Sequence, residues 1–397
     1  MDEIILIGVD GGASKVLVHK VDILINPMRF VALKPFIEVA YSSSESHDPK
    51  FKPVALTKQL KEHNANMVEQ SKGEAAEEEA FIESFTKAIR TILGTNVTQD
   101  VVIGVGLPGL KTKDKRGISA MANGPRMPKF LSKLEKALKK EGYTTLNPIL
   151  AIGSDADYCG LGEQWGDAGG MRGVKSAYYF GVGTGIADAM LLKGENVPFD
   201  ACKPWIAKTW EMLVNEEESY ENLLSAKGIQ ARYGVLTDQT QEELDAAEIY
   251  PWQVYERALL GEEAAVEVVE KTAQALSELL FHRILTLATG APETLLQDAK
   301  RELDTEHEYI GSVFERIVIG QRLGDIWEFK KFTPLLLDPV NEKLGRMIHS
   351  SSLPAEIKSL YLTKTNRLRD DLIIHSELRH APALGAAVDA YLEWIEQ

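Results

Sequence analysis

Two glycine-rich motifs constrain the fold of this chain more than any other feature. The first, GVDGGASKVLV, begins at Gly8, and the second, GVGTGIADAML, begins at Gly181. Each motif places glycines between two apolar, β-branched stretches, which is the pattern of a hairpin between strands rather than of a loop that opens a helix. The likeness of the two motifs indicates a duplicated unit.

Both hairpin tips have a composition that suits phosphate. Consecutive backbone amides next to glycine can form an anion-binding nest, and Asp10 beside it is a natural partner for Mg²⁺. In the second motif the Thr184 hydroxyl adds a further donor. The alternative for the first motif is an ordinary Asp-Gly-Gly turn with a solvated Lys15, and the motif by itself leaves both open.

The length of the chain and its net charge limit the classes of protein to which it can belong. A chain of 397 residues favours two domains, and a net charge of −15 argues against nucleic acid or a membrane surface as a partner. Cys159 and Cys202 are too few for a disulfide framework or a four-cysteine zinc site. Because no apolar stretch reaches spanning length, we expect an acidic cytoplasmic enzyme.

Strand-like blocks alternate with helical ones along the chain, which predicts an α/β fold. We expect one lobe from residues 1–150 completed by a closing helix at 382–397, and a second lobe from residues 151–381. Between the glycine motifs, Asp155 in SDADYCGLGE directly follows a predicted strand. It either faces a cleft or, together with Ser154, caps the following helix.

Five blocks in order resemble the ROK family of bacterial sugar kinases, within the sugar kinase, heat-shock ATPase and actin superfamily. GVDGGASK is similar to the family's first phosphate motif, SDADYCGLGE to its first connecting motif and GVGTGIADAML to its second phosphate motif. IVIGQRLGD loosely matches the adenosine motif, and PALGAAVDAYL the second connecting helix.

The resemblance implies an ATP-dependent phosphotransferase of the two-lobed, ribonuclease H-like fold. Each lobe would be a mixed five-stranded sheet flanked by helices, with ATP held at the lobe junction. Asp155 would be the general base that takes the proton from a sugar hydroxyl, and Asp10 would help hold Mg²⁺. The residues implied to contact ATP are Asp10, Gly11, Gly12, Lys15, Gly183, Thr184, Gly185, Gly320 and Gly324. A homodimer is the usual assembly in the family.

The chain departs from the family where the acceptor sugar would bind. Ser154 stands where an asparagine is usual, and the Glu-x-Gly-His motif is missing, which leaves Glu211 as its nominated replacement. In the sugar loop ANGPRMP, Arg126 stands where an asparagine is common, so Asn123 is the nearest amide. The family's zinc site is absent, and no zinc is expected.

Three functions are compatible with these features. An ATP-dependent kinase of a hexose or amino sugar is the leading one, and a catalytically degenerate sensor that binds nucleotide or sugar is the alternative. The third, an ATPase that activates a dehydratase through an iron–sulfur cluster, needs more cysteines than the chain has. The insertion at residues 289–311 could serve assembly or act as a lid.

Overall fold

The computed structural model describes residues 4–290 and 294–396. The strands are β1 (Ile5–Gly11), β2 (Lys15–Ile25), β3 (Met28–Ala32), β4 (Ile37–Ala40), β5 (Val101–Gly106), β6 (Leu110–Lys111), β7 (Ile118–Ala120), β8 (Ile152–Gly153), β9 (Ala177–Val182), β10 (Ile186–Leu192), β11 (Glu195–Val197), β12 (Met212–Leu213), β13 (Leu295–Leu296), β14 (Arg316–Gly320) and β15 (Ile373–His375). The α-helices are α1 (Leu56–Asn64), α2 (Lys72–Leu93), α3 (Phe130–Lys140), α4 (Asp155–Trp165), α5 (Phe199–Cys202), α6 (Tyr220–Leu224), α7 (Ala226–Thr237), α8 (Gln241–Ala246), α9 (Pro251–Leu259), α10 (Glu263–Thr289), α11 (Gln321–Glu328), α12 (Leu337–Ser350), α13 (Ala355–Tyr361) and α14 (Ala381–Ile395). None of these helices combines the length and the apolar character that a membrane crossing requires.

The chain divides into two compact units. The first consists of Met1–Gly169 and His380–Gln397, and the second of Gly170–Arg379. The division therefore falls after Gly169 rather than after residue 150, because α4 packs along α14 inside the first unit.

The sheet of the first unit has the order β3-β2-β1-β5-β8, with β4 also paired to β2. Strands β1 and β2 are antiparallel, whereas β1, β5 and β8 are parallel. The expectation of five strands is wrong for this sheet, which has six among the described residues. The extra strand arises because β2 is long enough to pair with β4 along its first half and with β3 along its second half.

The sheet of the second unit repeats this pairing. Its order is β11-β10-β9-β14-β15, with five strands as predicted. The hairpin β9–β10 is antiparallel, and β14 and β15 follow in parallel, as β5 and β8 follow β1 in the first unit. The two units therefore share a topology, which agrees with the duplication predicted from the glycine motifs. The α/β fold class is confirmed.

Close backbone contact with α14 holds the first unit together. A methyl group built on Gly104 in β5 would lie 1.8 Å from the backbone oxygen of Ala386. One built on Gly385 in α14 would lie 1.9 Å from the backbone oxygen of Tyr158 in α4. Only glycine permits approaches this close. The helix is thereby wedged between the sheet and α4.

A buried arginine anchors the predicted sugar loop. The Arg126 side chain is fully buried, and it donates to both carboxylate oxygens of Glu74 at 2.6 and 2.8 Å and to the Glu69 carbonyl at 2.9 Å. It also pairs with Glu62. Burial alone would raise the pKa of Glu74, but the hydrogen bonds from Arg126 and Ser71 outweigh it and hold that pKa below its usual value. Arg126 is thus an internal anchor of the loop.

We expect Gly385→Ala to destabilise the protein by about 1–3 kcal/mol, because the new methyl group forces α14 and α4 apart. Gly73→Ala is the matched control, since Gly73 is an exposed helical glycine whose nearest neighbour to an added methyl would be 3.9 Å away. That substitution should be neutral or stabilising. Urea unfolding of both variants measures the difference, and equal midpoints would contradict the wedge.

We expect Arg126→Met to lower the free energy of unfolding by about 3–5 kcal/mol at pH 7, since it leaves Glu74 buried without a counterion. In the wild type the lowered pKa of Glu74 contributes stability that is present above the ordinary value of 4.5 and is lost as the pH falls through the lowered pKa. In the variant the sign reverses, so the deficit should shrink from pH 7 to pH 5. Chemical denaturation at both pH values tests this, with Arg126→Met/Glu74→Gln as the partial rescue. A deficit that does not depend on pH would contradict it.

Candidate functional site

The first glycine motif forms the predicted β-hairpin. Asp10 is in register with Leu17 on the antiparallel partner strand, and the Gly12 amide donates to the Lys15 carbonyl at 2.9 Å. The tip, from Ala13 to Lys15, is exposed. The motif therefore does not open a helix, and its chemistry must come from the tip and from the end of β1.

Tyr41 supports this tip, and the sequence analysis missed it. Its hydroxyl donates to the Gly12 carbonyl at 3.1 Å, and its ring stacks on Phe81 with centroids 3.8 Å apart. Burial, and then the charge of Asp10, raise the pKa of Tyr41 well above its usual value, so the hydroxyl stays a neutral donor. Only the pairing of β4 with β2, which the sequence does not reveal, brings Tyr41 there.

Lys15 forms an ion pair with Glu38 at 2.6 Å. Both side chains are more than 40% exposed, so the pair contributes no more than about 1 kcal/mol. A phosphate group could therefore replace Glu38 as the partner of Lys15 at little cost.

The structure brings Asp10 and Asp155 to the same edge of the first sheet. Asp10 is in register with Gly106 of β5, and Gly106 is in register with Gly153 of β8, two residues before Asp155. Burial and then the negative charge of Asp155 raise the pKa of Asp10 to about 7, and Lys15 opposes the shift. The predicted base and the predicted metal partner therefore share one electrostatic environment.

The first turn of α4 separates the roles of Ser154 and Asp155. Ser154 is the N-cap, and its hydroxyl accepts from the Asp157 amide at 3.4 Å. Asp155 is the first helical residue, and its carboxylate makes no hydrogen bond or ion pair with another described residue. The helix-cap interpretation thus holds for Ser154 and leaves the Asp155 carboxylate available. Asn123, the other nominated acceptor contact, is exposed on the loop that Arg126 anchors.

The carboxylates at this edge suit Mg²⁺. Among the described residues, no group of three or more His, Cys, Asp or Glu side chains could hold a metal ion by itself. Mg²⁺ on a nucleotide usually takes only one or two carboxylates and completes its shell with phosphate oxygens and water. The negative charge of Asp155, after burial, raises the pKa of Asp10, and a cation between the two carboxylates would offset that repulsion, so Asp10 with Asp155 fits Mg²⁺.

The second glycine motif forms a hairpin turn between β9 and β10. The Gly183 amide donates to the Gly185 carbonyl at 2.9 Å, and the Gly183 carbonyl accepts from the Ala226 amide at 3.1 Å. Thr184 and Gly185 are exposed at the tip. These contacts hold the base of the turn and leave its tip open to a ligand.

Glu221 is a second residue that the sequence analysis missed. Its carboxylate accepts from the Ile186 amide at 3.1 Å, and a methyl group on Gly185 would lie 2.9 Å from it. Burial and then the charge of Asp188 raise the pKa of Glu221. No motif in the sequence marks Glu221, whereas the structure places this half-buried acid of α6 against the turn.

Glu211 is engaged inside the second unit. It forms an ion pair with Arg301, and its carboxylate accepts from the Lys208 amide at 2.7 Å. The insertion that contributes Arg301 also contributes β13, which pairs with β12. Residues 291–293 of the insertion lie outside the described residues. The described part of the insertion therefore serves packing within the unit.

A buried charge cluster holds the same region against β10. Asp188 accepts from the Thr209 amide at 2.9 Å and from the Thr209 hydroxyl at 2.7 Å, and Arg283 donates to it at 3.3 Å. Tyr178 also donates to Asp188. These internal contacts hold the segment around Thr209 and Glu211 in place. This segment stands at the position of the Glu-x-Gly-His motif of the ROK family.

Gly320 and Gly324 of the adenosine-like motif are both buried. Gly320 is the N-cap of α11, and Gly324 lies within that helix. Neither is exposed to a ligand, but the helix that they support lines a cavity of about 310 Å³. The cavity residues are Tyr250, Pro251, Trp252, Gln253, Arg322, Asp325 and Ile326. Its volume is at the lower end of the roughly 300–1,000 Å³ that small-molecule sites occupy.

Comparisons with known proteins support the fold. No family model matches the chain, and no curated protein matches it. It is similar to a ROK-family glucokinase from Streptomyces griseus, solved with glucose and AMPPNP, at 14% identity and a TM-score of 0.57 over 98% of this chain and 99% of that one. A ROK hexokinase from Thermus thermophilus aligns at 16% identity and a TM-score of 0.56, covering 99% and 100%.

A ROK-family transcriptional regulator described as a homologue of the E. coli MLC protein is equally similar. It aligns at 12% identity and a TM-score of 0.58, over 98% of this chain and 78% of that one. At sequence identities of 12–16%, structural similarity shows the fold and not the activity. The chain therefore has the actin-like ATPase fold of the ROK-family sugar kinases.

Proposed function

We propose that the protein transfers the γ-phosphate of ATP to a hydroxyl group of a hexose or amino sugar. The observation that carries this proposal is the pair Asp10 and Asp155 at one sheet edge, with the pKa of Asp10 raised to about 7. A carboxylate beside a glycine hairpin suits Mg²⁺ bound to phosphates, and a second carboxylate with no hydrogen-bond partner among the described residues suits a general base.

ATP would be bound through its phosphates and its base. In the first unit, Gly12 and Lys15 lie at the hairpin turn, and Gly11 is buried at the end of β1 beside them. In the second unit, the turn offers Gly183, Thr184 and Gly185. The cavity beside α11 would take the adenine ring against Trp252 and Tyr250. A neighbour of the same fold was solved with an ATP analogue, which supports nucleotide as the phosphate donor.

Asp155 would act as the general base. As the acceptor oxygen forms its bond to the γ-phosphorus and the bond to ADP breaks, the hydroxyl proton passes to the Asp155 carboxylate. Asp10 would help to hold Mg²⁺, which when bound neutralises charge on the phosphates. Lys15, freed from Glu38, would add a positive charge on the same side.

The acceptor class rests on the neighbours that are glucokinases and hexokinases. Of the three residues nominated for acceptor contacts, Ser154 caps a helix and Glu211 pairs with Arg301, while Asn123 is exposed. Hence the proposal extends to hexoses and amino sugars as a class and not to glucose in particular.

A sensor that binds nucleotide or sugar without turnover is the second candidate. The observation that favours it is the engagement of Ser154 and Glu211 in internal contacts, together with the similarity to a transcriptional regulator. The available carboxylate of Asp155 favours the kinase.

Coupled ADP release across hexoses, amino sugars and acylated amino sugars separates these candidates. The kinase requires acceptor-dependent ADP release with at least one sugar. Nucleotide binding without any turnover would support the sensor, and ATP hydrolysis that does not depend on sugar would contradict both.

We expect Asp155→Asn to lower kcat about 10²–10⁴-fold with the best acceptor, because the general base is removed. Its affinity for an ATP analogue should stay within a few-fold of wild type. Asp157→Asn is the matched control, as it changes another aspartate in the first turn of α4 and should keep most of the activity. Turnover close to wild type in Asp155→Asn would show that another group is the base.

A further inference from the structure

Gln321 has an unusual backbone conformation. It is the first residue of α11, its φ is 58°, and it bridges Val182, the residue before the second glycine turn. Side chains with a Cβ rarely adopt this left-handed region, and glycine adopts it freely. Strain of this kind is concentrated at functional sites.

The side chain of Gln321 reaches the glycine turn. A methyl group built on Gly183 would lie 2.5 Å from Oε1 of Gln321, so the carboxamide rests against this glycine. Gln321 is exposed. Its carboxamide carries two N–H donors besides the oxygen, and these can serve a ligand at the turn.

Gln321 also lies between the two features assigned to ATP. On one side is the exposed tip at Thr184 and Gly185, and on the other is the cavity that Arg322 and Asp325 line. A nucleotide with its phosphates on the turn and its base in the cavity has to pass its ribose and α-phosphate by residue 321. The strained backbone would hold the carboxamide of Gln321 next to the ribose and the α-phosphate.

We propose that the Gln321 carboxamide binds the α-phosphate of the nucleotide by donating a hydrogen bond to it. This inference rests on the proposed function, and it names a contact on a side chain where the sequence motif pointed only to glycines. A neutral donor suits a phosphate that is already flanked by charge, because it adds a directional contact without changing the net charge of the site.

Titration calorimetry with adenosine, AMP and ATP tests the proposal on wild type, Gln321→Ala and Gln321→Gly. We expect both variants to bind AMP and ATP about tenfold to a hundredfold more weakly, as for a lost hydrogen bond to a charged group. Adenosine, which has no phosphate, should bind within about twofold of wild type.

Two controls separate binding from folding. Gln321→Gly relieves the left-handed strain, so it should unfold at the wild-type temperature or above. Asn366→Gly changes another exposed amide residue with φ 58° in the second unit, and it should leave all three affinities unchanged.

Each outcome has a distinct meaning. Wild-type affinity for AMP and ATP in both Gln321 variants overturns this inference and leaves the proposed function standing. An equal loss of affinity for adenosine in the Gln321 variants also overturns the inference, because the weaker binding would then arise in the cavity and not at the α-phosphate. If the wild type binds no adenine nucleotide, the proposed function fails and this inference fails with it.

Discussion

The backbone contact between α14 and its neighbours is the constraint on which the first unit depends. Gly104 brings the helix onto the sheet, and Gly385 brings α4 onto the helix, at distances that no side chain would permit. Because α4 begins at Asp155, these glycines decide where its carboxylate lies relative to the end of β1. The last helix of the chain thus sets the position of the proposed base, although it contributes no reacting group.

Buried charged side chains anchor loops in both units. Because these side chains are engaged in internal contacts, they are poor candidates for binding a ligand. Arg126 holds the sugar loop through Glu74, and Arg283 with Asp188 holds the segment before Glu211. Charged groups that are fully paired have little left to offer a ligand. The hairpin tips differ from them because they are exposed and Lys15 is held only by an exposed ion pair. Asp155 differs because its half-buried carboxylate makes no hydrogen bond or ion pair with another described residue.

The local patterns predicted the two hairpins and the α/β class, since glycine spacing and apolar periodicity are properties of contiguous residues. The roles of Asp10 and Asp155 came from the family resemblance and stay predictions. Contacts between distant residues could not be predicted in this way. The partner of Arg126 is 52 positions away, and Tyr41 reaches Gly12 across 29. Ser154, which was predicted as an acceptor contact, also caps α4, and its contact with a sugar stays a prediction. The left-handed backbone of Gln321 has no signature in the sequence.

The proposed function depends on the tip of each glycine hairpin binding the phosphates of a nucleotide. Hydrogen–deuterium exchange at the amides of residues 12–15 and 183–186, measured with and without AMPPNP and Mg²⁺, reports on this binding. We expect the analogue to slow exchange at both tips, and adenosine alone to slow exchange at neither. Slowed exchange at neither tip in the presence of bound analogue would contradict it.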